Sequence, residues 1–354
     1  MTKQKAIVLT NGLLEINLAK TAHGLLRGSE RFEILAVIDY KHAGKDAGEV
    51  MDGRRKNVPV FASVADYFEQ GGEQPVWCVV GVALPGGKLP NDFRDELKIA
   101  IKHNCSIACG LHTFLSDDLE FSELAKEFGV VLFDVRKPKP RTELKFWSGE
   151  IYSVKKPIIA VLGTDCAIGK RTTCRFIMEM CKQHDIYAEM IYTGQTGWMQ
   201  GYKHGFIFDS TVNDFIGGEL ECAVVECARE SNPDLILLEG QSALRNPSGP
   251  CGAEFLLSAN AKGVILHHAP GREFYEGTEE IGCKIHPIES EIELIKLYGS
   301  QVLAVTLNNE HMTTEQLKNY RDQLQQKIGI PVALPLEEGV EPLLPVIRDF
   351  MGKF

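Results

Sequence analysis

The sequence predicts an α/β protein made of two parallel-sheet domains. Three observations carry this. Short apolar runs alternate with amphipathic segments of helical spacing along almost the whole chain, the pattern of repeated strand–helix–strand units. One run, residues 158–162, leads into a glycine-bounded loop and then a helix opening on Gly169-Lys170. Between the two series lies Arg136-Lys137-Pro138-Lys139-Pro140-Arg141, proline- and charge-rich, which suits a connector. Together they describe an N-terminal Rossmann-like domain over residues 1–150, followed by a P-loop NTPase-like α/β domain over 151–354.

In the first domain, residues 5–10 read as a strand ended by Asn11-Gly12. A helix over 17–27 follows, with Leu18, Ala22, Leu25 and Leu26 as its apolar stripe. Strands are expected at 32–39, 58–61, 76–82, 106–109 and 130–134, with helices at 63–69, 90–104 and 120–128. Asp39 ends the second strand, where a dinucleotide fold can bind a ribose hydroxyl. The first turn, Thr10 to Glu15, lacks the G-x-G-x-x-G fingerprint, so a structural or substrate-shaping role is expected there. The loops at 81–88 and 110–112 lie at strand ends, where such folds take ligands, and both also suit plain turn chemistry.

The second domain is organised around Gly163-Thr164-Asp165-Cys166-Ala167-Ile168-Gly169-Lys170-Arg171-Thr172-Thr173. Strand, loop and helix together make a phosphate-binding loop. Backbone N–H groups of the loop and first helical turn converge on a phosphate, and the helix N-terminus adds partial positive charge. Lys170 brings a full charge, and glycines at 163 and 169 permit backbone conformations that side chains block. Two departures stand out. The spacing is one residue longer than G-x4-G-K, and Arg171 replaces the usual Ser or Thr that holds magnesium. Thr172 is the expected replacement, with Thr173 second.

Later elements follow in order. Residues 187–193 read as a strand ending in Thr-Gly-Gln-Thr-Gly, so Gln195 and Thr196 are expected on a turn near the loop, where they would hold a substrate. A helix runs to Ala228, with Asp214 at its leading end as a metal ligand or a cap. The apolar strand at 233–239 ends in Glu239-Gly240-Gln241, and an acid there reaches a magnesium ion beside the phosphates. Arg245 and Asn246 lie in a polar loop. The strand at 263–268 ends in His267-His268, one of which alternation turns into the cleft, and Arg272 can clamp a carboxylate or phosphate. After a strand at 301–307, the Asn308 amide suits a nucleotide base, and the missing Asn-Lys-x-Asp points to adenine. A helix at 314–327, a strand at 330–334 and a closing helix at 341–350 complete the chain.

Composition sets limits. With 44% hydrophobic and 24% charged residues, the chain has the balance of an ordinary globular protein. A net charge of −10 argues against a nucleic-acid partner. No apolar run reaches membrane-spanning length, and the N-terminus lacks the pattern of a secretory signal. Ten scattered cysteines without a Cys-x-x-Cys suit buried, reduced thiols in a cytoplasmic protein. The expected partners are a small-molecule substrate and further copies of the same chain.

These motifs support two resemblances. The loop at 163–170 resembles the Gly-Thr-Asp-Thr-x-x-Gly-Lys loop of dethiobiotin synthetase, including its extra residue, and Glu239-Gly240 is similar to that family's magnesium site. That likeness covers about half the chain. Over its whole length the chain resembles a bacterial and archaeal family designated domain of unknown function sixteen-eleven, in which a Rossmann-like domain precedes a P-loop domain. The motifs at 163–173, 193–197 and 239–241 carry that resemblance. Some members are described as N-acetyltransferases acting on D-glutamate.

Three readings follow. The first is an ATP- and magnesium-dependent ligase or kinase acting on a small carboxylate or amino acid at an interdomain cleft. There Lys170 and the loop hold phosphates, Thr172, Glu239 and Asp214 hold magnesium, and Gln195, Thr196, Arg245 and Arg272 orient the substrate. The alternative is an acetyl-CoA-dependent N-acetyltransferase, with His268 or Glu239 as base. The third is a non-catalytic nucleotide-binding regulator.

Overall fold

A computed structural model of the chain describes residues 2–354. Two compact units emerge. One runs through Lys139 and adds Gln195–Tyr202; the other comprises Pro140–Gly194 and Lys203–Phe354.

The first unit holds β1 (Gln4–Leu9), β2 (Phe32–Ile38), β3 (Val60–Phe61), β4 (Trp77–Val80), β5 (Ser106–Cys109) and β6 (Leu132–Asp134). They form one parallel sheet in the order β3-β2-β1-β4-β5-β6. This is a Rossmann-like sheet, with its order reversing at β1. Ile7, Leu9, Ile38, Val80, Leu97, Ile101 and Phe121 form its buried core. Helix starts are set locally: Ser63 Oγ accepts from Asp66 N at 3.0 Å, and Asp118 Oδ1 accepts from Phe121 N at 3.3 Å.

Asp39 closes the first turn instead of standing open. Its Oδ2 accepts from Thr10 Oγ1 at 2.7 Å, Gly12 N at 2.8 Å and Leu14 N at 3.0 Å. Its Oδ1 faces His42 Nδ1 at 2.8 Å. The N–H groups that would meet a dinucleotide's phosphate in this fold already hold a carboxylate. The loops at 81–88 and 110–112 bond one another, His112 N donating to Gly87 O at 2.9 Å.

Corrections to the sequence reading lie mainly in short elements. The segment Thr-Gly-Gln-Thr-Gly does not form a turn. From Gln195 it is a helix, Gln195–Gln200, and it belongs to the first unit. Thr196 Oγ1 lies 3.2 Å from Thr21 Oγ1, Gln200 Nε2 donates to Gly24 O at 2.8 Å, and Trp198 stacks on Phe133 at 4.4 Å. Helices Ala47–Asp52 and Ile288–Leu297 lie where the sequence reading assigns no element, and Ala253–Leu257 follows directly on its polar loop.

The second unit holds β7 (Ile158–Gly163), β8 (Ala188–Ile191), β9 (Leu235–Glu239), β10 (Gly263–His268), β11 (Gln301–Leu307) and β12 (Val332–Ala333). All run parallel, in the order β12-β11-β10-β7-β9-β8. The order reverses at β7, so the loop after it sits at the switch point where such sheets bind ligands. Every residue of β7, β9 and β10 is buried, as expected of strands covered on both faces. Among the described residues no helix is long and apolar enough to cross a membrane. All ten cysteines are free thiols, and Cys166, Cys222 and Cys283 are the partly exposed ones.

Candidate phosphate-binding site

The loop between β7 and helix Lys170–Gln183 is built on unusual backbone. Ala167 has φ of +53° and Gly169 has φ of +112°. The second value suits glycine, because a Cβ there is strained. Gly163 serves differently: a Cβ at that position would lie 2.9 Å from Ile168 Cδ1 and 3.0 Å from Lys170 Cδ. Its bare Cα makes room for the loop's own side chains.

Asp165 holds this loop in place. It is fully buried, and both oxygens are used. Oδ1 accepts from Cys166 N at 2.7 Å and Asn246 Nδ2 at 3.0 Å. Oδ2 accepts from Arg272 Nη1 at 2.8 Å and Glu276 N at 2.8 Å. Arg272 also donates to Cys166 O at 2.9 Å and to Glu310 Oε2 at 2.8 Å. Its guanidinium is thus committed to the loop and to Glu310, which stabilise its charge.

Lys170 opens the helix with its chain buried. Nζ donates to Asp165 O at 2.6 Å and to Ser242 O at 2.8 Å. Burial lowers its pKa, while Cys166 and Asp165 pull the other way. Ser242 has φ of +40°, so its carbonyl reaches the ammonium from a left-handed backbone.

Glu239, at the end of β9, is also buried. Its Oε2 accepts from Thr193 N at 3.1 Å, and its carbonyl accepts from Thr193 Oγ1 at 2.6 Å. Gln241 Nε2 donates to that same hydroxyl at 2.9 Å. Arg171 Nη1 stands 3.9 Å from Glu239 Oε1. Burial raises the Glu239 pKa, opposed first by Arg171. The residue that replaces the usual magnesium hydroxyl therefore faces the carboxylate at the usual magnesium position.

Both histidines of β10 are buried and turned to opposite sides. His267 Nε2 donates to Ile168 O at 2.7 Å, and its Nδ1 lies 2.6 Å from Thr306 Oγ1. Register explains the second contact: His267 pairs with Thr306 in β11 and with Gly163 in β7. His268 Nδ1 lies 2.9 Å from Thr164 Oγ1, and its Nε2 lies 3.3 Å from Tyr320 OH. Burial lowers both, His267 to about 3 and His268 to about 4.

The remaining residues separate into two groups. Thr172 is partly exposed on the first helical turn, whereas Thr173 is buried with Oγ1 3.4 Å from His267 Nδ1. Asn308 Nδ2 donates to Ile168 O at 2.7 Å, so its amide braces the loop. Away from the loop, Arg245 donates to Glu291 Oε1 at 2.7 Å and to Ser290 Oγ. Asp214 is exposed on the first turn of helix Asn213–Glu230. Gln195 and Thr196 lie in the first unit. Ser242 joins the site without having been singled out from sequence, whereas Thr193, Asn246 and His267, which lie in polar segments the sequence reading names, make contacts there. Polar residues just past apolar strands were their signal. No group of three or more His, Cys, Asp or Glu among the described residues is placed to hold a metal ion.

A glycine-bounded loop at a switch point, running from a buried strand into a helix that opens on Lys170, defines a P-loop domain. The chain belongs to the DUF1611 family. Residues 145–344 match its model described as "Domain of unknown function (DUF1611_C) P-loop domain". Residues 40–138 match "Domain of unknown function (DUF1611_N) Rossmann-like domain". A crystal structure of a DUF1611 family protein from Anabaena variabilis superposes with a TM-score of 0.89 at 27% identity, covering 98% of this chain and 100% of that one. Two curated relatives carry the name D-glutamate N-acetyltransferase. The one from Pseudoalteromonas is 28% identical, covering 75% of this chain and 79% of its own. The one from Tritonibacter scottomollicae is 25% identical, covering 76% and 80%.

Proposed function

We propose that the protein is an acetyl-CoA-dependent N-acetyltransferase acting on a small amino acid of the D-glutamate kind, with loop 163–173 holding the coenzyme's phosphates. The observation that carries this reading is the Arg171 guanidinium 3.9 Å from Glu239. A cation built into the chain stands where a nucleotide-hydrolysing site would use its carboxylate on magnesium. Phosphates can then be neutralised by Lys170, Arg171 and the loop amides without a metal. The names of the two curated relatives agree with it.

In acyl transfer the amine nitrogen attacks the thioester carbonyl. A C–N bond forms, the C–S bond breaks, the amine proton goes to a base and the thiolate takes up a proton. Glu239 faces Arg171 at the phosphate-holding end of the site, and both ring nitrogens of His268 already face protein hydroxyls. The reading therefore assigns neither as the base at the thioester end of the coenzyme. The reading implies a cytoplasmic setting, in which ten free thiols stay reduced.

The second reading, an ATP- and magnesium-dependent ligase or kinase, draws on Thr172. Its partly exposed side chain on the first turn, with Glu239 across the loop, suits a metal-bound phosphate. Titration calorimetry with acetyl-CoA in EDTA, and with ATP–magnesium, separates the two. Acetyl-CoA should bind without metal and lose affinity in Lys170→Ala. Thiol release should appear with D-glutamate in an amino-acid panel. Arg171→Ser, which restores the hydroxyl, should make binding sensitive to magnesium. Binding of ATP–magnesium with no affinity for acetyl-CoA would overturn the first reading in favour of the second.

A further inference from the structure

We infer that His267 and Asn308 are positioning residues that lock the Ile168–Gly169 peptide, keeping the loop preformed for an anion. The inference rests on the phosphate-binding reading of this loop.

Two donors converge on one carbonyl. Ile168 O accepts from His267 Nε2 at 2.7 Å and from Asn308 Nδ2 at 2.7 Å. A carbonyl oxygen only accepts, so His267 carries its proton on Nε2. In the neutral ring Nδ1 is then an acceptor, and the Thr306 hydroxyl 2.6 Å away donates to it. This fixes the ring plane and tautomer from behind. Asn308 is oriented as firmly. Its Oδ1 accepts from Glu310 N at 2.8 Å, which leaves Nδ2 as the end facing Ile168. Its own N donates to His268 O at 2.8 Å.

The consequence follows from peptide geometry. The bond is trans and planar, so the Gly169 N–H projects opposite to the Ile168 carbonyl, away from His267 and Asn308. Glycine at φ +112° offers little resistance to rotation of the peptide that precedes it. A rotated peptide would turn a carbonyl oxygen toward the anion and withdraw an N–H from it. The paired donors oppose that rotation. On the other side of Gly169, its own carbonyl accepts from Thr173 N at 3.0 Å and is held by the helix.

The test titrates the full-length chain with CoA, and separately with ADP, in wild type and four variants. His267→Phe keeps a ring but offers no donor, and should weaken both probes about tenfold or more. His267→Gln can donate to Ile168 O and should recover most of that loss. Asn308→Ala should weaken binding about tenfold on its own, and the double variant His267→Phe/Asn308→Ala further still. A purely structural role would make affinity track the melting temperature, with Phe and Gln equally impaired. That result, or unchanged affinity in Asn308→Ala, overturns the inference. Asn308→Ala alone decides if His267→Phe does not fold. If wild type binds neither probe, the acetyl-transfer reading falls and inorganic pyrophosphate replaces them, with the same two outcomes. Failure of wild type to bind all three overturns the inference as well.

Discussion

A buried carboxylate with four donors is the residue on which this loop depends most. Asp165 gathers Cys166 N, Asn246, Arg272 and Glu276 N, from three separate loops. Removing it would leave the nearly buried Arg272 guanidinium with Glu310 as its remaining ion-pair partner. Breaking a buried ion pair from one side costs about 3–5 kcal/mol. Asp165→Ala should lose stability on that scale in urea denaturation, together with phosphate binding. Asp165→Asn keeps one acceptor oxygen and should lose less, because the amide no longer offsets the guanidinium but still fills the space. Equal stability of Asp165→Ala and wild type would mean that Arg272 finds its charge partner in Glu310 alone.

Among the elements, β10 carries the clearest pH signature. Its last two residues are histidines held neutral by burial, with pKa values of about 3 and about 4 against an ordinary 6.5. Above 6.5 both states of the chain are neutral there, and the stability is fully present. As pH falls below 6.5 the unfolded chain takes up protons that the folded chain refuses, so stability is lost until about pH 4 and then 3. Each histidine contributes a slope of about 1.4 kcal/mol per pH unit inside that window. Urea midpoints measured from pH 7.5 to 5 should fall accordingly, and His267→Gln or His268→Gln should each remove about one proton's worth of the slope. A slope identical to wild type in both variants would contradict the burial argument. The same strand marks what was legible in the sequence. The apolar runs of β7, β9, β10 and β11 and their terminal Gly, Glu, His and Asn were visible, because doubly covered strands read as unbroken apolar stretches. What grips the loop was not visible. Asn246, Arg272 and Asn308 lie far along the chain from Asp165 and Ile168, and only the strand order brings them there. Helix Gln195–Gln200 was missed for the same kind of reason. Two glycines and polar neighbours favour a turn locally, and packing on Thr21, Gly24 and Phe133 decides otherwise.

At the scale of the whole molecule, the chain path ties one unit's completion to the other's synthesis. The first unit runs through Lys139 but lacks the helix that arrives only at Gln195. That helix buries Gln195, Thr196, Gly197, Met199 and Gln200. It also supplies the acceptor for Ser29 Oγ at 3.1 Å and for Arg31 Nε at 2.8 Å. A fragment ending at residue 139 therefore exposes apolar surface and leaves buried polar groups of Ser29 and Thr21 without these partners, each costing about 1–3 kcal/mol. A small sheet domain of marginal stability does not withstand several such losses. The fragment 1–139 should be molten or aggregated by circular dichroism and dye binding, and a synthetic peptide spanning 193–203 should restore cooperative melting when added. A fragment that melts cooperatively without the peptide, at the temperature of the intact chain, would show that the inserted helix is dispensable.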